Sequence, residues 1–306
     1  MDAFLFLSSY EVFSEYLIFS ACYDVSMVMK LNDDKPKIKA VTLDLWETLL
    51  LEWDGANKQR TLIRCRNLAR ALSKFGIQIS IDQLASALKA MSSWLLSVWE
   101  KNREVTHLDQ IRFIVEAATD GSVPLREEWL NELSSAYVSA IFELPPYLNP
   151  DAPQLLQWLR DHGKRIGLIC NVGRTPGFIL RRFLEDKGIG NFFDAMIFSD
   201  EVGTRKPHPE IFRMAARRLG VKPSEIIHIG DNLRSDVWGA KNAGFKAIHF
   251  STRKGRDMIA ESDPNSLVSI SRKLGDLKEE EIVPDRTVTS LAMAIEAIKE
   301  LERQLM

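Results

Sequence analysis

The 306-residue chain predicts an α/β protein: a parallel sheet with helices on both faces, interrupted near its start by an all-helical insertion. Three observations carry this reading. After Pro150, apolar runs of strand length alternate with helix-period segments, which implies βαβ crossovers. From about Asn57 to Phe142 the pattern is helical, with no convincing strand. Strand-length runs also stop at chemistry-bearing residues, at Asp44, at Cys170-Asn171 and at Gly230-Asp231. A parallel sheet gathers such strand ends along one edge, where active sites of open α/β folds lie.

Ile38 to Leu43 is the first strand. Thr61 to Leu72 has apolar residues at helix spacing, Ser80 and Gln83 make a capping box before Leu84 to Trp99, His107 to Ala118 follows, and Pro124 opens a last helix through Ile141. The chain returns through Leu144-Pro145-Pro146-Tyr147. Asn149 and Pro150 serve as N-cap and first helical residue, with Gly163 as the stop before the strand Arg165 to Cys170. Thr175-Pro176 opens a helix, Ala195 to Ser199 is a strand, and Pro209 to Leu219 is a helix closed by Gly220. Ile226 to Ile229 is a strand, Asp236 to Ala243 a helix closed by Gly244, Lys246 to Phe250 a strand, and Ser290 to Leu305 a closing helix. The resulting division is an N-terminal extension over residues 1–36, a core built from 37–52 and 147–306, and a helical cap over 53–146.

Composition is that of an ordinary globular protein, with 45% apolar and 27% charged residues. A net charge of −2 leaves no basic footprint for nucleic acid or an anionic membrane, and the cytoplasm is the expected location. Cys22, Cys65 and Cys170 are scattered, without the spacing of a disulfide framework or a zinc site. Met1 to Met29 is apolar yet lacks Lys and Arg, and Glu11, Glu15 and Asp24 cut its runs below a membrane span. It reads as a surface extension, or as sequence upstream of a start at Met27 or Met29.

The segments Asp44-Leu45-Trp46-Glu47-Thr48-Leu49, Cys170-Asn171, Arg205-Lys206-Pro207 and Gly230-Asp231 with Asp236 read together as a phosphate-handling carboxylate site. A strand-end carboxylate such as Asp44 can attack phosphorus when a cation holds both anions together. Asp231 and Asp236 offer the hard oxygen ligands that Mg²⁺ takes. Lys206 can balance charge, and Cys170-Asn171 opens a loop whose N–H groups and Asn amide can take phosphate oxygens. Trp46 and Trp53 bracket the passage from sheet to helices, where either can face the pocket or pack as core. Arg60, Arg64 and His107 are candidate contacts from the helical side.

In order and spacing, Asp44-x-Trp46-x-Thr48, Cys170-Asn171, Lys206-Pro207 and Gly230-Asp231 with Asp236 resemble the four motifs of the haloacid dehalogenase-like hydrolase superfamily. The resemblance spans Ile38 to Phe250 and implies a Rossmann-like core, Mg²⁺ dependence and an aspartyl-phosphate intermediate. Carried over residue by residue, it makes Asp44 the nucleophile, and Asp44, the Trp46 backbone carbonyl, Asp231 and Asp236 the metal site. Lys206, Cys170 and Asn171 complete the catalytic set. Thr48 and Trp46, and by its position Trp53, are the candidates for the substrate pocket. The implied function is that of a phosphatase acting on a small phosphorylated metabolite. Two departures stand out: Trp46 replaces the acid/base Asp of phosphatases, and Cys170 replaces a Ser or Thr. A catalytically silent phosphate- or protein-binding module is the alternative. A carbon–halogen hydrolase is the third reading, because dehalogenases of the family carry a Tyr at the position of Trp46.

Overall fold

The computed structural model describes residues 37–101, 103–251 and 281–305. The predicted N-terminal extension, including the alternative starts, lies outside the described residues. Six parallel strands form the main sheet: β1 (Ala40–Leu43), β4 (Arg165–Cys170), β5 (Ala195–Phe198), β6 (Ile226–Gly230), β7 (Lys246–Phe250) and β8 (Arg286–Val288). Their order is β5-β4-β1-β6-β7-β8, so β1 lies between β4 and β6, with Leu43 level with Leu168 and Ile229. Chain direction across the sheet reverses at β1, the switch point where a crevice opens beyond the strand ends.

Alternate strand residues point to opposite faces, and the core divides accordingly. Val41, Leu43, Leu168 and Phe198 join one apolar cluster with α6 (Ala152–Asp161), α7 (Gly177–Asp186) and α11 (Leu291–Arg303). Ala40, Ile169 and Ile197 join a second with α9 (Pro209–Leu219) and α10 (Gly239–Asn242). Every residue of β1 is buried, as a strand covered on both faces must be.

Between β2 (Leu50–Leu51) and β3 (Tyr147–Leu148) the chain is helical: α1 (Ala56–Ser73), α2 (Ile81–Trp99), α3 (His107–Ala118), α4 (Leu130–Val138) and α5 (Ala140–Glu143). Both α2 and α3 start with capping boxes, Ser80 with Gln83 and Thr106 with Asp109. Only the first was legible as a signal, because Asp at the third position is a less usual partner than Glu or Gln. The strands β2 and β3 pair antiparallel and tie the outgoing connection to the returning one. Two-residue strands leave no periodicity to read, and the sequence reading missed them.

Other boundaries differ for local reasons. The helix expected from Pro124 begins as a 3-10 turn at Glu127–Trp129 and breaks at Ser139 between α4 and α5. Asn149 caps the entry to α6 as read, its Oδ1 accepting from the Asp151 N–H at 3.1 Å and its Nδ2 donating to the Thr48 carbonyl at 2.9 Å, but the regular turns start after Pro150, at Ala152. The helix expected from Asp236 begins earlier, as a π-type turn over Leu233–Trp238 capped by Asn232. The edge strand β8 was unread because three residues carry too little pattern, whereas α11 follows its N-cap Ser290 as expected.

Candidate active site

Asp44 follows the last residue of β1, and its backbone N–H donates to the Ile229 carbonyl at 2.9 Å, which holds it at the sheet edge. Lys206 reaches this point from the loop between α8 (Ser199–Val202) and α9. Its buried ammonium donates to Asp44 Oδ1 at 2.5 Å, to Asp236 Oδ1 at 2.6 Å and to the Ile169 carbonyl at 2.8 Å. The Lys206 backbone is clamped by Asn171, whose Oδ1 accepts the Lys206 N–H and whose Nδ2 donates to the Lys206 carbonyl, both at 2.8 Å. Asn171 thus fixes the lysine loop, a different task from the phosphate contact expected of its amide.

Asp236 sits behind this pair, with Oδ2 accepting the Asn232 N–H at 3.0 Å and Oδ1 facing His228 Nε2 at 3.2 Å. His228 in turn meets the Thr42 hydroxyl through Nδ1 at 2.9 Å. Gly230 makes the arrangement possible, since a Cβ there would stand 2.4 Å from the Asp236 carboxyl carbon. His228 was overlooked in the sequence. Its signal was a polar residue inside the apolar run Ile226 to Gly230.

One lysine serves two buried carboxylates, and the two divide. Burial works against ionisation of Asp236, but Lys206 and the His228 hydrogen bond prevail and hold it well below the usual carboxylate range. Burial raises Asp44 and outweighs the pull of Lys206, with the charges of Asp236 and Asp231 adding to the rise, so that its carboxyl stands at about 7. Burial lowers the Lys206 ammonium, yet its two carboxylate partners leave it raised overall. Burial likewise lowers His228, consistent with a neutral imidazole that donates to Asp236 and accepts from Thr42.

Asp44, Asp231 and Asp236 can each offer a carboxylate oxygen such that the three oxygens lie within 4.8 Å of one another. These are hard donors of the kind Mg²⁺ takes, and the mutual repulsion that raises Asp44 is what a divalent cation would relieve. The residues present therefore fit such an ion.

The carboxylates open on a cavity of about 520 Å³, walled on the sheet side by Trp46, Asn171 to Thr175, Arg205 and Lys206, and on the helical side by Arg60, Arg64, Leu88 and Ser92 among others. Several bonds join the helices to the sheet-side loops. Arg64 Nη2 donates to the Thr175 hydroxyl at 3.1 Å, Gln110 Nε2 to the Gly173 carbonyl at 3.0 Å, and Arg174 to the Thr61 and Ser92 hydroxyls at 2.7 Å each. Arg205 pairs with Glu104 and lies 3.9 Å from the centroid of the Trp99 ring. The Arg60 guanidinium grips Glu52 at 2.8 and 2.6 Å and the Leu144 carbonyl at 3.0 Å, binding the two connections together.

The sequence candidates fall into two groups. Asp44, Trp46, Asn171, Lys206, Asp231 and Asp236 line the cavity, whereas Cys170, Thr48 and Trp53 do not. Cys170 is fully buried, and burial followed by the nearby Asp44 charge keeps its thiol neutral. Thr48 is buried behind the nucleophile position, its hydroxyl 3.5 Å from Asp44 Oδ2. Trp53, 42% exposed, stands on the outer surface of the connection and corrects the expectation of a pocket face. His107 bonds Ser134 at 2.9 Å and packs on Phe178, away from the cavity.

A family model for haloacid dehalogenase-like hydrolases matches residues 38–244, and a second HAD-hydrolase-like model matches residues 203–294. The chain belongs to the haloacid dehalogenase-like hydrolases. Among its relatives, glyceraldehyde 3-phosphate phosphatase from Pyrococcus abyssi is 35% identical over 71% of this chain and 83% of its own length. Phosphoglycolate phosphatase from Escherichia coli is 28% identical over 69% of this chain and 80% of its own. Against three further archaeal glyceraldehyde 3-phosphate phosphatases the matched stretch is shorter, 58%, 45% and 57% of the relative's length. The fold is shared with a HAD phosphatase from Thermococcus onnurineus, at a TM-score of 0.52 and 24% identity over 85% of this chain and 98% of that one. It is shared equally with a 2-haloacid dehalogenase from Pseudomonas syringae, at 0.58 and 19% over 86% and 99%. Among the described residues, no helix is long and apolar enough to cross a membrane.

Proposed function

We propose that this hydrolase is a Mg²⁺-dependent phosphatase acting on a small phosphorylated metabolite, with Asp44 as the nucleophile. The single observation that carries the reading is the buried junction at which Lys206 bridges Asp44 and Asp236, with the Asp231 carboxylate in ligand range. The relatives above are named for phosphoglycolate and glyceraldehyde 3-phosphate, two substrates that agree in being short phosphomonoesters.

Asp44 and Asp231, with the Trp46 backbone carbonyl and with Asp236 behind them, would hold the ion, which when bound neutralises the phosphoryl oxygens so that an anion can attack. In that first step an Asp44 carboxylate oxygen forms a bond to phosphorus, the ester P–O bond breaks, and the electron pair leaves on the alcohol oxygen. Water then cleaves the acyl-phosphate, returning the Asp44 carboxylate and releasing inorganic phosphate. Lys206 holds Asp44 in place and offsets charge throughout, and Asn171 holds Lys206. The leaving oxygen takes its proton from water or Glu47, since the Trp46 indole N–H is no acid at neutral pH. Loss of dedicated general-acid help costs roughly 10²–10⁴-fold in rate, which favours substrates with good leaving groups. Residues 53–146 act in this reading as a cap. Opening it would break the bonds of Arg64, Gln110 and Glu104 to the loops beneath and those of the loop residue Arg174 to Thr61 and Ser92, while the β2 and β3 pair serves as hinge.

The test is hydrolysis of an activated aryl phosphate with Mg²⁺ and with chelator, in wild type and in Asp44→Asn. Activity lost in chelator and in the variant is expected. Undiminished activity in either would overturn the mechanism, and halide release from a 2-haloacid under metal-free conditions would support the dehalogenase reading that Trp46 suggests.

A further inference from the structure

The positive groups on the cavity wall are not equivalent. Lys206 is bound by Asp44 and Asp236, Arg205 by Glu104, and Arg60 by both oxygens of Glu52. Lys58 and Lys89 are solvent-exposed. Arg174 donates to both the Thr61 and the Ser92 hydroxyl, whereas Arg64 has a single hydrogen-bond partner, and that one is neutral. It is 3% exposed, lines the cavity from α1, and forms no ion pair among the described residues. Its guanidinium has one hydrogen bond, to Thr175, and stands 5.5 Å from the centroid of the Tyr137 ring, while its Nε is buried without any acceptor.

A buried guanidinium without a counter-anion is costly, and the neighbourhood worsens the case. Burial first, then the positive charges of Arg174 and Arg60, outweigh the favourable influence of Tyr137 and the more weakly acting Glu52 and lower its pKa to about 10, so the group stays charged at neutral pH. Arg60 and Arg64 on the helical side and Arg174 on the sheet side thus line the same cavity as the carboxylates of Asp44, Asp231 and Asp236. A phosphomonoester held at the carboxylate end uses Lys206 and the metal position. What Arg64 lacks is an anion arriving from the other end of the same molecule.

We propose that Arg64 binds a second anionic group of the substrate, a carboxylate or a second phosphate, so that the enzyme selects phosphomonoesters carrying negative charge at both ends. The proposal rests on the phosphatase reading for the seat of the first phosphate. A planar guanidinium that lines the cavity from α1 with a single neutral hydrogen-bond partner is suited to a two-oxygen anion, which such a group can bind through parallel hydrogen bonds. A role confined to fastening α1 to the loop after β4 would leave ligand selection untouched, and this separates the two accounts.

The decisive measurement is calorimetric titration of the Asp44→Asn protein in Mg²⁺, which needs no turnover. Glyceraldehyde 3-phosphate and 3-phosphoglycerate differ only at C1, aldehyde against carboxylate, and propanediol monophosphate and bisphosphate repeat the contrast with phosphate. The ligand anionic at both ends in at least one pair is expected to bind about 30-fold tighter, in keeping with charge-assisted hydrogen bonds. Adding Arg64→Gln should bring that ratio to within about threefold, and Arg64→Lys should retain part of it. Equal affinities within both pairs would overturn the proposal even if the glutamine variant fails to fold, as would a ratio that survives Arg64→Gln. Failure of the Asp44→Asn and chelator test above would sink the mechanism alone, because this contrast is read from binding.

Discussion

Replacing Lys206 by methionine keeps a long unbranched stem and deletes one buried positive charge. The ammonium has three partners at 2.5, 2.6 and 2.8 Å, and the Asp44 and Asp236 side chains it holds are only 9% and 2% exposed. Breaking a buried ion pair by removing one partner costs about 3–5 kcal/mol, because the remaining charge is left in a poor solvent. The Ile169 carbonyl, left without this donor, adds to the loss, though members of one network do not add simply. The expected destabilisation of Lys206→Met without metal is therefore about 4 kcal/mol, read by urea unfolding at pH 7.5 in chelator. Mg²⁺ should recover more stability in the variant than in wild type, since the carboxylates then lack their internal cation; a ligand at a hundred times its dissociation constant contributes roughly 2.7 kcal/mol. A loss below about 1.5 kcal/mol, or equal Mg²⁺ gains in both proteins, would refute the reasoning that Lys206 is the principal counter-charge of this junction.

Trp46→Asp places a carboxyl beside the leaving oxygen, and turnover should rise at least tenfold more for alkyl than for aryl phosphates if missing proton transfer limits the rate. Steady-state kinetics on a matched pair of esters decides it, and equal changes on both would mean that Trp46 acts through pocket shape. Stability at mildly acid pH should depend on His107, which burial holds below its ordinary value against the opposing charge of Asp109. With the folded-state value depressed, the unfolded chain binds the proton first, so stability is lost as pH falls from about 7 through about 6.5. His107→Gln should flatten that part of the unfolding profile, and an unchanged slope between pH 7 and 5 would refute it.

Strand ends and the residues that follow them were readable without coordinates, because apolar runs stop where the sheet stops, and Asp44, Asn171 and Asp231 come directly after. The alternation of strands and helices after Pro150 carried the parallel architecture, and the capping of α2 and the close of α9 at Gly220 obeyed local rules that need no neighbours. Tertiary structure decided what depends on partners distant in sequence. Trp53 faces outward, Asn171 clamps the Lys206 backbone, and Cys170 is sealed beneath the cavity floor, none of which residue type or spacing encodes. The buried chain from Thr42 through His228 to Asp236 spans three elements, and Arg64 is left without an ion pair while the carboxylate that acts on it, Glu52, is gripped by Arg60. A charge acquires its meaning from which opposite charge packing brings to it, and that pairing is a property of the folded chain.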